Sequence, residues 1–150
     1  MIENILVAVD GSAHAHAAVD MAGEIAAKFG ARVTLLHVMT ELGSARVPEE
    51  LRWYAEAEKI RLSEADILRS VANEILQRAE RRARKRGAER VETAIELGDP
   101  AGTIVGYAKA HKTDLIVMGR RGLGDIRGLL LGSVSHKVGH LAGCACLTVM

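Results

Sequence analysis

Between Gly119 and Ser135 the chain reads Gly-Arg-Arg-Gly-Leu-Gly-Asp-Ile-Arg-Gly-Leu-Leu-Leu-Gly-Ser-Val-Ser. Glycines let backbone N–H groups come close to phosphate oxygens. The closing Gly132-Ser133-Val134-Ser135 opens a helix, whose first amides and positive dipole end attract anions. Ser133 and Ser135 add hydroxyl groups. The same composition also describes a loop closed by an N-cap serine, with no ligand at all. Two known phosphate patterns fail here. Walker A needs a glycine followed by Lys and then Ser or Thr, which the chain lacks. Gly122-x-Gly124-x-x-x-Gly128 is spaced one residue too widely for a dinucleotide fingerprint, and it follows the fourth predicted strand instead of the first.

Other residues have chemistry to weigh. Asp10 stands at the tip of the first strand, with His14 and His16 in the helix that follows. The histidines could approach phosphates, act as general bases, or simply be solvated. His136, His140, Cys144 and Cys146 bring four metal-ligating types close together in sequence. Zinc would need all four to converge tetrahedrally; a helix surface beside buried cysteines is the plainer reading. A disulfide between Cys144 and Cys146 would be strained at that separation. Arg78, Arg81, Arg82, Arg84, Lys85 and Arg86 form a basic run at a helix end, read as a solvated face opposite the helix dipole or as a partner or RNA contact. Trp53 and Tyr54 are a lid, an interface patch or simple packing.

The elements that must position these residues follow from periodicity. Ile2–Val9, Arg32–Met39 and Asp114–Met118 are short apolar runs of the kind buried on both faces of a parallel sheet. Val91–Leu97 alternates, as an edge strand does, and Ala145–Met150 is the last strand. Helices are expected over Ala15–Phe29, capped by Ser12 and stopped by Gly30, with Val19, Ala22, Ile25, Ala26 and Phe29 inward. Glu49–Arg86 looks helical nearly throughout, but at about 1.5 Å per residue it would exceed 50 Å. A break is expected, with a restart at Ser63 and its Asp66 capping box. From there Leu68, Val71, Ile75, Ala79 and Ala83 form the apolar stripe. Ala101–His111, with Asp99-Pro100 as cap and first turn, and Ser133–Leu141 complete the helices. The alternation predicts one α/β domain over residues 1–150: an open five-stranded parallel sheet with helices on both faces, order 3-2-1-4-5.

The bulk numbers agree. The chain has 150 residues, 49% hydrophobic and 26% charged, enough for a core without disulfide staples. Phe29, Trp53, Tyr54 and Tyr107 are its aromatics, too few for a platform that stacks single-stranded nucleic acid. A net charge of +1 gives no basic field for nucleic acid. No apolar run approaches the roughly 18 residues of a membrane span, and the N-terminus reads as a strand, not a signal peptide. A cytoplasmic protein is expected.

The spacing Gly119-x2-Gly122-x9-Gly132-Ser133 resembles the ATP-binding signature of the universal stress protein family. The opening Ile5–Ser12, Leu35–Val38, Gly98–Ala108 and Asp114–Gly122 agree with it, and the resemblance covers nearly the whole chain, weakest from Thr40 to Ser63. It implies a Rossmann-like sheet of the adenine nucleotide alpha hydrolase kind. It implies ATP with Mg2+ as ligand, with Asp10 near the ribose and the phosphate-bound metal, and the backbone of Val38 at the adenine. Met118 and Gly119 would line the nucleoside, and Gly122, Gly132, Ser133, Val134 and Ser135 the phosphates. It also implies a homodimer joined through the last strands, with Leu147, Val149 and Met150 at the interface. Two departures stand out. Arg120 replaces a small polar residue, and Cys144-Ala145-Cys146 lacks the proline usual before the last strand. The function expected is a nucleotide-dependent regulatory switch in stress response, read by a protein partner, with at most slow ATP hydrolysis or autophosphorylation. The alternatives are a metal-assisted ATP hydrolase using Asp10, and a nucleotide-free interaction or chaperone-like dimer.

Overall fold

Aliphatic runs with few polar interruptions become the central strands, because both faces of each must be covered. The computed structural model describes residues 1–40, 64–123 and 132–150. In chain order these form β1 (Asn4–Ala8), α1 (Ala13–Phe29), β2 (Arg32–Met39), α2 (Glu64–Lys85), β3 (Arg90–Leu97), α3 (Pro100–Ala110), β4 (Leu115–Gly119), α4 (Ser133–Leu141) and β5 (Ala145–Val149). Every strand pair is parallel, and the order is 3-2-1-4-5, as expected. β1 is central, with Ile5 opposite both Val33 and Leu115.

Successive side chains of a strand point to opposite faces, so each strand feeds two cores. Ile5, Val7, Val33, Leu35 and Val117 pack under α1 and α2, with Val19, Ala22, Leu76 and Ala83. Leu6, Leu36, Ile116 and Met118 pack under α3 and α4, with Ile104 and Val138. Ion pairs lock α1 to α2. Asp20 Oδ1 lies 2.6 Å from Arg82 Nε, and Asp20 Oδ2 lies 3.0 Å from an Arg86 guanidinium nitrogen. Burial alone would raise the Asp20 carboxyl, but hydrogen bonds from Arg82 and Arg86 outweigh it and hold it below the ordinary range.

Three details depart from the periodicity reading. Phe29 is 54% exposed although it continues the inward stripe of Ala15, Ala18, Val19, Ala22 and Ala26, because it is the last residue of α1, directly before the Gly30 cap. In α2, Val71 is 44% exposed while Ala72, Leu76, Ala79 and Ala83 are buried. Alanines let two helices approach closely, so they define the contact, not the larger side chains beside them. In β3, Ala94 packs toward α3 while Thr93 and Leu97 are exposed. The strand is indeed at the sheet edge, with both faces partly covered. The expected break before Ser63, and Trp53 and Tyr54, lie outside the described residues.

Candidate functional site

The chain leaves β1 for α1 on one face of the sheet and leaves β4 for α4 on the other. The two adjacent strands therefore part at their carboxyl ends, which is where open α/β sheets hold ligands. A cleft of about 420 Å³ opens there, a volume suited to a nucleotide-sized molecule. Its inner end is apolar, formed by Leu36 and Val38 of β2, Ile104 of α3 and Met118 of β4. Its outer end is built from Asp10, Gly119, Arg121, Gly122 and the segment Gly132–Ser135.

The outer end is held by Asp10. Its Oδ1 accepts from Ser12 N at 2.9 Å and its Oδ2 from Leu123 N at 3.2 Å. Gly122 passes so close that a Cβ there would sit 2.5 Å from Asp10 Oδ2. The Gly122 N–H has no acceptor among the described residues. Gly119 is equally confined, since its Cβ would lie 2.7 Å from His14 Cβ and 2.9 Å from Ala15 N. At Gly119, which meets backbone, only glycine allows the approach; at Gly122 a Cβ would have to displace the Asp10 carboxylate.

α4 begins at the same place. Its N-cap is Gly132, in extended conformation and with no side-chain cap. The amides of its first turn, which include Ser133 and Val134, are thus open to an acceptor from outside the helix. Gly132 N donates to Arg120 O at 2.8 Å. Ser135 Oγ donates to the same carbonyl at 2.8 Å, with Gly132 O at 3.1 Å. Its hydroxyl hydrogen is therefore turned into the framework, and its amide is the donor left at the helix start.

Val38 reaches the cleft for a reason of parity. Leu36 gives its carbonyl to Val9 N and Met39 gives its own to Gly98 N. Alternation along a strand then turns the peptide groups of Val38 toward the β1 side, past Ala8, where β1 has ended. Thus Asp10, Val38, Met118, Gly119, Gly122, Gly132, Ser133, Val134 and Ser135 all line one cleft. Arg121 lines it too, while Arg120 follows β4 in donating to Val149 O at 2.7 Å.

Two histidines contribute as well, His14, already a candidate beside Asp10, and His37. His14 Nδ1 accepts from Arg121 N at 3.2 Å. His37 Nδ1 lies 2.8 Å from Val9 O, the residue before Asp10. The signal for His14 was the strand order: with β1 beside β4, the first turn of α1 must abut the end of β4.

The remaining candidates do not gather. No group of three or more His, Cys, Asp or Glu among the described residues could hold a metal ion. His136 and His140 are exposed on α4, whereas Cys144 and Cys146 pack beside the α3–α4 core with free thiols. Burial pushes both thiols up. In the basic run Arg78 pairs with Glu74, Arg84 with Glu80, Arg82 with Asp20, and Arg86 with Asp20 and Glu24. Acidic neighbours thus neutralise most of that face. No described helix is long and apolar enough to cross a membrane.

Comparison with known proteins adds to this geometry. The profile of the "Universal stress protein family" matches residues 1–150. The "Universal stress protein in QAH/OAS sulfhydrylase 3'region" of Thermus aquaticus is 37% identical over 151 residues, covering 99% of each chain. "Universal stress protein YxiE" of Bacillus subtilis (strain 168) is 34% identical over 157 residues, again covering 99% of each. Among solved structures, a universal stress protein in complex with cAMP aligns with a TM-score of 0.72 and 30% identity, covering 99% of this chain and 97% of that one.

Proposed function

The chain belongs to the universal stress protein family, and from that premise we propose that its carboxyl-edge cleft binds an adenine nucleotide, ATP with Mg2+ above all. The observation that carries the reading is the meeting of unclaimed amides at one end of an apolar cleft. Gly122 N–H and the first turn of α4, which Gly132 leaves uncapped, face the same space. A flat base suits the slot between Leu36, Val38, Ile104 and Met118, and phosphates suit the amide end. A relative of the same fold whose complex holds cAMP supports the adenine class.

Magnesium fits this site as a passenger of the phosphates. Among the described residues Asp10 is the acid at the cleft, and each of its oxygens accepts one amide and keeps a further lone pair. One carboxylate plus phosphate oxygens is a common setting for the ion, which would neutralise phosphate charge there. The chain's own residues hold the nucleotide but are poorly placed to move a proton. Asp10 is engaged by two amides, and Nδ1 of His14 is engaged by Arg121 N. On this reading the protein is a cytoplasmic switch whose conformation a partner reads, with slow hydrolysis or autophosphorylation at most. The open edge of β5 supports a homodimer through the last strand, with Met150 72% exposed beside it and Leu147 and Val149 half-buried.

Calorimetric titration of the nucleotide-stripped protein with ATP and magnesium, and with cAMP in parallel, tests the reading. Micromolar binding at one site per subunit is expected. Absence of binding to both, confirmed by a second method, would leave an interaction dimer. Phosphate release of several turnovers per second, lost in Asp10→Asn with binding retained, would instead make the protein a hydrolase.

A further inference from the structure

His14, in the first turn of α1, stands behind the cleft wall, to which its neighbours Ala15 and Gly119 belong. An N–H can donate to a ring nitrogen only if that nitrogen carries no proton. The 3.2 Å bond from Arg121 N to His14 Nδ1 therefore uses the lone pair of Nδ1. His37 is the opposite case: its Nδ1 faces the carbonyl of Val9 at 2.8 Å and must carry the proton. His14 thus acts as an acceptor, a role that packing alone would not require. Its position is fixed from behind, because the strand end at Gly119 lies directly on its Cβ and on Ala15 N.

The consequence is a turn held at alternate amides. His14 takes the N–H of Arg121 and Asp10 takes the N–H of Leu123. Gly122 stands between them with its N–H given to neither. We propose that His14 is a positioning residue of the anion-binding end of the cleft: by accepting the Arg121 amide, it fixes the turn so that Gly122 N–H is presented to the ligand. The proposal rests on the reading of the cleft as a nucleotide site.

Three substitutions separate this role from bulk. Asparagine places its side-chain oxygen near the position of Nδ1, leucine keeps volume without an acceptor, and glutamine keeps polarity but carries its acceptor one bond farther out. Two readouts are compared in each: ATP–magnesium affinity by calorimetry, and hydrogen exchange of the Arg121 amide in the nucleotide-free protein by NMR. His14→Leu is expected to weaken binding and speed Arg121 exchange, each by about tenfold, the scale of one lost acceptor at a part-buried amide. His14→Asn is expected to stay within about threefold of the parent on both. His14→Gln should behave like the leucine variant, and it supplies the contrast if leucine prevents folding. Parent-like exchange and affinity in both the Leu and Gln variants would overturn the proposal, as would an Asn variant impaired as much as they are. If the parent binds no nucleotide, the exchange contrast still decides whether His14 holds the turn, and only the functional reading falls.

Discussion

Three helices start at the carboxyl edge of the sheet, and they start differently. α1 is capped by Ser12, whose Oγ accepts from Ala15 N at 3.2 Å. α3 is capped by Asp99, whose Oδ2 accepts from Gly102 N at 2.9 Å, with Pro100 in its first turn. α4 starts from Gly132, which has no side chain to cap it. A capping side chain typically contributes about 1 kcal/mol. The first two helices each satisfy one first-turn amide with their own cap, whereas α4 has no side-chain cap and leaves its amides to whatever enters the cleft. Under the proposed function, the difference separates a helix start that serves stability from one that serves binding. It gains meaning only because Gly122 and the apolar slot face the same space.

The comparison breaks most visibly if α4 is made to resemble its neighbours. Gly132→Asp would supply a capping carboxylate where phosphates are expected. The backbone already has the extended conformation of an N-cap (φ −68°, ψ 155°). The new Cβ would sit 3.1 Å from Arg120 O, so strain offsets part of the cap. Stability should stay within about 1 kcal/mol of the parent, while nucleotide affinity falls by about 100-fold or more through occupied amides and charge repulsion. Gly122→Val should lose binding comparably, because its Cβ would displace Asp10 Oδ2 from 2.5 Å. Calorimetry beside urea denaturation reads both quantities. Retained affinity in both variants would refute the site.

The converse change sharpens the contrast with a smaller effect. Asp99→Ala removes a cap that faces no ligand in this reading. It should lower stability by about 1 kcal/mol and leave nucleotide affinity within about twofold of the parent. A loss of affinity larger than this would mean that α3 positions the cleft through more than Pro100 and Ile104.

Much of this was legible in the sequence because the informative residues are local. Ser12, Gly30 and Asp99-Pro100 mark helix ends by their own chemistry, and Gly30 does take the left-handed conformation, φ 64°. The strand order and the spaced glycines brought Asp10, Met118, Gly122 and Gly132 to one edge. What the sequence did not show turns on contacts between elements. Phe29 and Val71 are apolar and suitably spaced, yet the α1–α2 contact selects the alanines. Ser135 looked like a hydroxyl for phosphate, but the carbonyl of Arg120, across the loop, takes its hydrogen. The basic run is the solvated face it was read as, but only the packing of α1 brings Asp20 and Glu24 opposite it. His14 became a loop acceptor only through the neighbouring end of β4.

The opposite edge of the sheet gives the smallest and most specific test. There Asp114, before β4, accepts from Glu3 N and Asn4 N, each at 2.9 Å, and ties the chain's start to its centre. These amides hold its carboxyl below the ordinary 3.8. A depressed carboxyl stabilises the fold fully above the ordinary value and loses that contribution as pH falls through the folded value. Asp114→Asn keeps one acceptor and removes the charge. It should lower stability at neutral pH, and the gap from the parent should close as pH falls below 3.8. Urea denaturation across that range measures the gap. Nucleotide affinity at neutral pH should not change, because this carboxylate serves the amino edge alone. A gap that stayed constant with pH would show that Asp114 acts through shape, not charge. A loss of affinity would show that the two edges are coupled through β4, so that capping and binding are not separable in this fold.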